Sequence, residues 1–332
     1  MEIKQIKENL FNSQDLSLDE TIFVFDLIMT GKLSEIDISA ILIGLKLKTE
    51  SQNEILGAAK IMRSKSLKIQ SDDQTVDTCG TGGDMIGTLN ISTSSAIVAA
   101  SAGVKIAKHG NRSISSKSGS ADMLEKLGYK ISKDLKDLQF NLDNNKFCFL
   151  FAQYHHEAMK HVIKVRKELG TRTIFNLLGP LTNPANTKRQ LLGVYNKKWV
   201  NIHCKVLKEL GSTRAMVVHG KDGLDEISLN EVTFVAELKD NKIKEYIFDP
   251  KEYGYEYIKN SDIFGGSPEY NAKKFLKMLN GQNKKFQHIV ELNAGAAIYL
   301  SGIANNLKEG FNLARHVIEK KISKNYLKKI IS

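Results

Sequence analysis

Three glycines within four residues, Gly80-Thr81-Gly82-Gly83, followed at once by Asp84, form the stretch of this chain best suited to chemistry. Glycine lets backbone N–H groups press against a charged ligand and adopt dihedral angles that other residues avoid. An apolar, β-prone run from Thr75 to Cys79 leads into the loop, and Asn90-Ile91-Ser92-Thr93 then opens an alanine- and serine-rich stretch over about 94–102. A helix starting there turns unpaired N–H donors and the positive end of its dipole toward the loop. Together they predict a phosphate cradle. The loop is not a dinucleotide fingerprint, because Met85 stands where the third glycine belongs, nor a P-loop, because residues 80–93 contain no lysine.

Two further constellations carry charge that suits the same ligand class. Lys108-His109-Gly110-Asn111-Arg112 runs into Ser113-Ile114-Ser115-Ser116-Lys117-Ser118-Gly119-Ser120, a basic, hydroxyl-rich loop that fits an anion. His219-Gly220-Lys221-Asp222-Gly223-Leu224-Asp225-Glu226 places adjacent carboxylates beside glycines, a set suited to Mg²⁺ bridged to phosphates through retained waters. The run His155-His156-Glu157-Ala158-Met159-Lys160-His161 invites a zinc-protease reading, which fails because Lys160 occupies the position of the second ligand histidine. Beyond it, Arg166 could clamp a carboxylate with its two-pronged guanidinium, ahead of a rigid turn, Phe175-Asn176-Leu177-Leu178-Gly179-Pro180-Leu181-Thr182-Asn183-Pro184.

These residues need elements to hold them. Residues 1 to about 70 read as short amphipathic helices, with a capping box at Ser17-Leu18-Asp19-Glu20 and further helix starts at Ser34 and at Thr49-Glu50-Ser51-Gln52. After the polar linker Ser71-Asp72-Asp73-Gln74, strands are expected near 75–79, 104–108, 147–152, 191–194 and 214–218. Helices are expected between them, near 94–102, 120–127, 156–168 and 199–210. That alternation predicts an α/β domain with a central, mostly parallel sheet, whose ligands bind beyond the carboxyl ends of the strands. Residues 233–249 read as an antiparallel hairpin, and helices near 271–279, 289–300 and 307–322 close the chain. The domains predicted are a small helical one over 1–70, completed by helices around 160–185, and a large α/β one over 71–332.

The bulk composition narrows the classes. Apolar content of 42% and charged content of 26% are ordinary for a soluble globular protein. No 18-residue apolar run appears, and the charged amino terminus lacks a signal-peptide core. Three scattered cysteines, Cys79, Cys148 and Cys204, point to a reduced, cytoplasmic protein. A net charge of +11 suits either nucleic acid or a polyanionic small molecule, but the lysines are spread along the whole chain.

Taken jointly, the motifs resemble the anthranilate phosphoribosyltransferases of tryptophan biosynthesis. The resemblance rests on Gly80–Asp84, Asn90–Thr93, Lys108–Arg112, Ser116-Lys117-Ser118-Gly119-Ser120-Ala121-Asp122, the segment 166–184 and Asp222–Glu226, in the family's order and over essentially the whole chain. It implies transfer of phosphoribose from 5-phosphoribosyl 1-pyrophosphate (PRPP) to the amine of anthranilate, with Mg²⁺, in a homodimer associating through the helical domain. It implies PRPP contacts at Gly80, Gly82, Gly83, Asp84, Thr88, Asn90, Ser92, Thr93, Lys108 and Ser120, and metal contacts at Ser92, Asp225 and Glu226. Anthranilate would meet Gly80, His109, Asn111, Arg166 and Gly179, with Lys108, His109 and Arg166 as the catalytic set. Glu157 and Lys164 depart from the family by standing at usual proline positions, and Leu89 replaces a usual phenylalanine. Two rival readings share the architecture: a pyrimidine nucleoside phosphorylase, expected to differ in both loops, and a nucleic-acid-binding relative, expected to lack the Asn111, Arg166 and 176–184 set. Neither a nucleic-acid nor a membrane partner is expected.

Overall fold

The computed structural model describes residues 2–84, 86–113 and 117–332. Four helices build the amino-terminal lobe: α1 (Ile3–Phe11), α2 (Leu18–Met29), α3 (Glu35–Lys48) and α4 (Gln52–Ser64). The starts of α2 and α3 follow the predicted chemistry at Ser17 and Ser34, whereas the cap expected from Thr49 falls at Ser51, because Thr49 ends α3 with a positive φ of 72°. The Ser17 hydroxyl accepts from Glu20 N at 3.2 Å while the Glu20 carboxylate accepts from Ser17 N at 2.8 Å, and Ser51 and Glu54 repeat the arrangement at the head of α4. Glu54 is fully buried and also accepts from Leu16 N and Lys48 Nζ, so its charge is matched inside the bundle.

The sheet contains β1 (Val76–Gly80), β2 (Ile106–Gly110), β3 (Phe147–Phe151), β4 (Arg189–Gly193), β5 (Arg214–Gly220), β6 (Thr233–Lys239) and β7 (Lys242–Phe248), in the order β3-β2-β1-β4-β5-β6-β7. The strands from β3 to β5 are parallel, and β6 and β7 add an antiparallel edge. The hairpin turns at Asp240 (φ 50°) and Asn241 (φ 60°), left-handed residues whose twist matches that of paired strands. Successive strand residues face opposite cores, as a period of two requires. Leu191, Met216 and Val218 join the core beneath α5 (Ile91–Ser101) and the buried helix Lys284–Ser301. Leu192, Ala215 and Val217 join a core shared with α1–α4.

The helical bundle is completed from a distant part of the chain. Val162, Val165, Ile174, Phe175 and Leu178 pack into the same core as α1–α4. Here the structure corrects a sequence expectation. The helix expected over 156–168 is broken into Ala152–His155, a 3₁₀ turn Glu157–Met159, and Lys160–Leu169. His156 is not helical (φ −114°, ψ 59°), and the break lets the buried His155 ring reach Leu67 O at 2.7 Å. The closing helix expected over 307–322 ends at Glu319, where Lys321 turns left-handed (φ 59°) and starts a further helix, Ile322–Ile331.

The strand order reverses direction between β1 and β4, so the carboxyl ends of β1, β2, β4 and β5 surround one switch point. Gly80, Gly110, Gly193 and Gly220 are the last residues of those four strands.

Candidate active site

The glycine loop leaves β1 at this switch point and is held from several sides. Thr81 N donates to Gly193 O at 2.9 Å, and Tyr195 N donates to Thr81 Oγ1 at 3.0 Å. Gly82 (φ 65°) and Gly83 (φ 75°) are both left-handed, a pairing that side chains disfavour. Gly82 N donates to Asp225 Oδ2 at 2.8 Å. Gly80 and Gly193 are required by close approach rather than by dihedral. A Cβ on Gly80 would lie 2.4 Å from Asp225 Oδ2, and one on Gly193 would lie 1.5 Å from Asp225 O.

Asp225 and Glu226 therefore dock onto two backbone donors of the region. Asp225 takes Gly82 N, and Glu226 takes Ser92 N, at the head of α5, at 3.0 Å. Both residues are partly buried, and their carboxylates are closely enclosed by protein. Burial, then repulsion from Asp84, raises the Asp225 pKa; burial, then repulsion from Asp225, raises that of Glu226. Burial also raises Asp84, whose Oδ1 accepts from Ile86 N at 3.2 Å. Such a crowd of hard oxygen donors fits Mg²⁺, which relieves the repulsion while keeping waters and phosphate oxygens in its shell. Among the described residues, no three acidic, histidine or cysteine side chains converge tightly enough to cage an ion by themselves.

Lys108 is 1% exposed, and its Nζ donates to Thr78 O and, at 3.3 Å, to Ser92 Oγ. Burial lowers its pKa, while Asp77, Cys79, Glu226 and Asp225 favour the charge. Asp77, fully buried, accepts from His109 N at 3.0 Å, Gln190 Nε2 at 3.1 Å and Cys79 Sγ at 3.3 Å. The motifs do not single out this supporting carboxylate, although an aspartate inside the apolar run 75–79 is a visible signal.

The remaining residues expected at the phosphate side form a connected network. Thr93 Oγ1 donates to Ser120 Oγ at 3.0 Å, joining α5 to α6 (Ser120–Lys126). Asn90 Nδ2 donates to Ser118 O at 3.1 Å, and Asn271 Nδ2 donates to Asn90 Oδ1 at 2.7 Å. Thr88 forms an antiparallel bridge with Phe264. Arg112 behaves differently from the sequence expectation of an anion ligand: its guanidinium binds Glu125 at 2.6 Å and Asp122 at 3.0 Å on the surface. Residues 114–116 of this loop, and Met85 of the first, lie outside the described residues.

On the helical side, several groups keep one polar atom without a partner among the described residues. The His109 and His156 rings lie 5.3 Å apart between centroids and tilted at 58° to each other, and the ring Nε2 atoms of His109, His155 and His156 have no hydrogen-bond partner among the described residues. Burial holds His109 well below the ordinary histidine range and lowers His156 to about 4. The Gly179 backbone interacts with His109, which brings the 179–182 turn to the end of β2. Asn111 Oδ1 accepts from Arg112 N at 2.8 Å and Gln153 Nε2 at 3.3 Å. The Arg166 guanidinium lies 5.4 Å from the Phe175 ring centroid. Desolvation alone acts on its basicity, and no carboxylate faces it among the described residues.

Comparison with known proteins places this arrangement. Residues 4–66 match the glycosyl transferase family helical bundle domain, and residues 72–321 match the glycosyl transferase family a/b domain. An anthranilate phosphoribosyltransferase from Thermoanaerobacter sp. (strain X514) is 45% identical over 99% of this chain and 98% of its own length. One from Marinomonas sp. (strain MWYL1) is 49% identical over 96% of this chain and 93% of its own. The solved structure of the Thermus thermophilus anthranilate phosphoribosyltransferase superposes with a TM-score of 0.92 at 37% identity, covering 98% of both chains. The Saccharomyces cerevisiae enzyme in complex with PRPP and Mg superposes with a TM-score of 0.89 at 28% identity, over 99% of this chain and 96% of that one.

Proposed function

The chain belongs to the anthranilate phosphoribosyltransferase family, and on that basis we propose that it transfers 5-phosphoribose from PRPP to the amine of anthranilate, releasing pyrophosphate. What carries the reading is the meeting of Asp225 with Gly82 N and of Glu226 with Ser92 N. Phosphate donors and cation ligands lie side by side at one set of strand ends, as a magnesium-bound pyrophosphate ester requires.

In this reading the sheet side holds the donor substrate. Gly80, Gly82, Gly83, Asp84 and Thr88 bind pyrophosphate and ribose together with Asn90, Ser92, Thr93, Lys108 and Ser120. Breaking the C1–O bond leaves positive charge on the ribose and negative charge on pyrophosphate, and Lys108 with the head of α5 stabilises the latter. Mg²⁺ held by Ser92, Asp225 and Glu226 supplies further positive charge to the leaving group. The helical side holds the acceptor. Arg166 takes the aminobenzoate carboxylate in two parallel hydrogen bonds, while Gly80, Asn111 and Gly179 shape its path. The aromatic amine is uncharged at neutral pH, so its lone pair needs orientation rather than a strong base. His109 can supply that orientation, because its ring stays neutral and its free Nε2 accepts a hydrogen bond from the amine.

The helical lobe of this reading covers residues 1–70 with 160–185, and the α/β lobe covers the remainder of 71–332. A homodimer forms through the helical lobe, where Ile36 and Leu47 are 82% and 79% exposed on α3. Three unpaired cysteines suit a cytoplasmic location, and among the described residues no helix is long and apolar enough to cross a membrane. A continuous fluorescence assay of anthranilate with PRPP and Mg²⁺ tests the activity. The expected result is loss of the anthranilate signal that needs both PRPP and the metal. Salt-sensitive DNA binding without PRPP turnover would instead favour the nucleic-acid-binding relative.

A further inference from the structure

One contact crosses from the helical side to the glycine loop and has no role in the scheme above. Arg172 lies just after the helix Lys160–Leu169, in the segment that returns to the bundle core at Ile174 and Phe175. Its guanidinium carbon lies 4.2 Å from the centroid of the Tyr195 ring, and its Nη2 donates to Gly83 O. Tyr195 in turn donates its backbone N–H to Thr81 Oγ1 at 3.0 Å. The arginine and its stacking partner therefore grip the same five-residue loop at two points.

The peptide geometry gives this grip a consequence. In a trans peptide the carbonyl and the following N–H point in opposite directions. Fixing Gly83 O toward Arg172 thus fixes the Asp84 N–H away from it. Thr81 N and Gly82 N already have partners in Gly193 O and Asp225 Oδ2. Gly83 N and Asp84 N have none among the described residues, so they are the loop's two free backbone donors for an oxyanion. Both glycines are left-handed and would otherwise sample many peptide orientations. A cation stacked on an aromatic face is a directional anchor, and guanidinium, unlike ammonium, can stack and donate at once.

We infer that Arg172 is a positioning residue: from the helical lobe it sets the Gly83–Asp84 peptide so that the loop's free N–H donors face the pyrophosphate of PRPP. This deepens the function proposed above and rests on it. It ties donor-substrate affinity to the placement of the acceptor-side segment, which carries Arg166 six residues earlier.

The test compares Arg172→Ala and Arg172→Lys with the parent chain. PRPP binding is measured by calorimetry with Mg²⁺ and without anthranilate, alongside both KM values and the melting temperature. Loss of one charge-assisted hydrogen bond with its stack predicts about a tenfold weaker PRPP affinity in Arg172→Ala. The anthranilate KM and the melting temperature should stay close to the parent values, and lysine, which cannot both stack and donate, should restore little. Tyr195→Leu keeps the arginine but removes its platform, and should weaken PRPP binding by a smaller factor in the same direction. Unchanged PRPP affinity in Arg172→Ala overturns the inference, as does an equal loss in both KM values together with a lowered melting temperature. If the parent chain binds PRPP yet leaves anthranilate unconsumed, the activity fails while the calorimetric comparison still decides the role of Arg172.

Discussion

The two sides of the cleft differ in how completely their polar groups are matched. At the strand ends, nearly every group already has a partner distant in sequence: Gly82 N with Asp225, Ser92 N with Glu226, Thr93 with Ser120, Asn90 with Asn271. On the helical side, Arg166 faces no carboxylate among the described residues, and His109, His155 and His156 each keep a bare Nε2 there. A prebuilt cradle suits a substrate whose phosphates must be held rigidly while charge moves onto them. An unmatched guanidinium and unmatched acceptors suit a planar amino acid that supplies the missing partners itself, since leaving such groups unpaired has a free-energy cost that binding removes.

The difference should break most visibly at the acidic pair. Asp225→Asn combined with Glu226→Gln should lower kcat/KM for PRPP by about a hundredfold or more while leaving the anthranilate KM within a few fold. Steady-state kinetics across a Mg²⁺ series checks this, and unchanged metal dependence would count against the cation role. Next in size, Arg166→Ala should raise the anthranilate KM by roughly thirtyfold, as expected for losing a charged, bidentate pair, and spare PRPP binding. Equal effects on both substrates would remove the distinction between the sides. Gly193→Ala tests the cradle without touching a charge: its Cβ would fall 1.5 Å from Asp225 O, on backbone that cannot swing aside. It should raise the PRPP KM by about tenfold, and a wild-type PRPP KM would show that the acidic pair tolerates displacement.

How much of this was legible depends on how local each cause is. The loop, the head of α5 and the acidic pair were readable because glycine spacing, hydroxyls and adjacent carboxylates are signals carried within a few residues. The capping box at Ser17 was readable for the same reason, whereas the cap expected from the spacing Thr49-Glu50-Ser51-Gln52 is made by Ser51 with Glu54, because Thr49 is taken up in ending α3. The break at His156 was not, because it follows from burying His155 against Leu67, a contact that no local pattern encodes. Nor was the surface pairing of Arg112, since its carboxylates belong to a helix whose facing the sequence leaves open. Arg172 meets Gly83 only after the chain has returned from the bundle.

An expected effect of a different kind concerns stability at the junction of the two lobes. His203 is fully buried and burial lowers its pKa from 6.5 to about 4. The unfolded chain therefore binds the extra proton between those values, so this contribution is complete above pH 6.5 and lost as pH falls toward 4. Denaturant titrations at about pH 7.5 and pH 5 should show a loss of about 2 kcal/mol attributable to His203. The loss should be absent in His203→Gln, and an equal loss in that variant would assign the acid sensitivity elsewhere.

The central claim is that both sides serve a single reaction centre, and product stoichiometry tests it most directly. Chromatography with mass detection, after incubation with anthranilate, PRPP and Mg²⁺, should find N-(5-phosphoribosyl)anthranilate and pyrophosphate appearing one to one. Pyrophosphate released without the adduct, or neither product at saturating substrates, would contradict it.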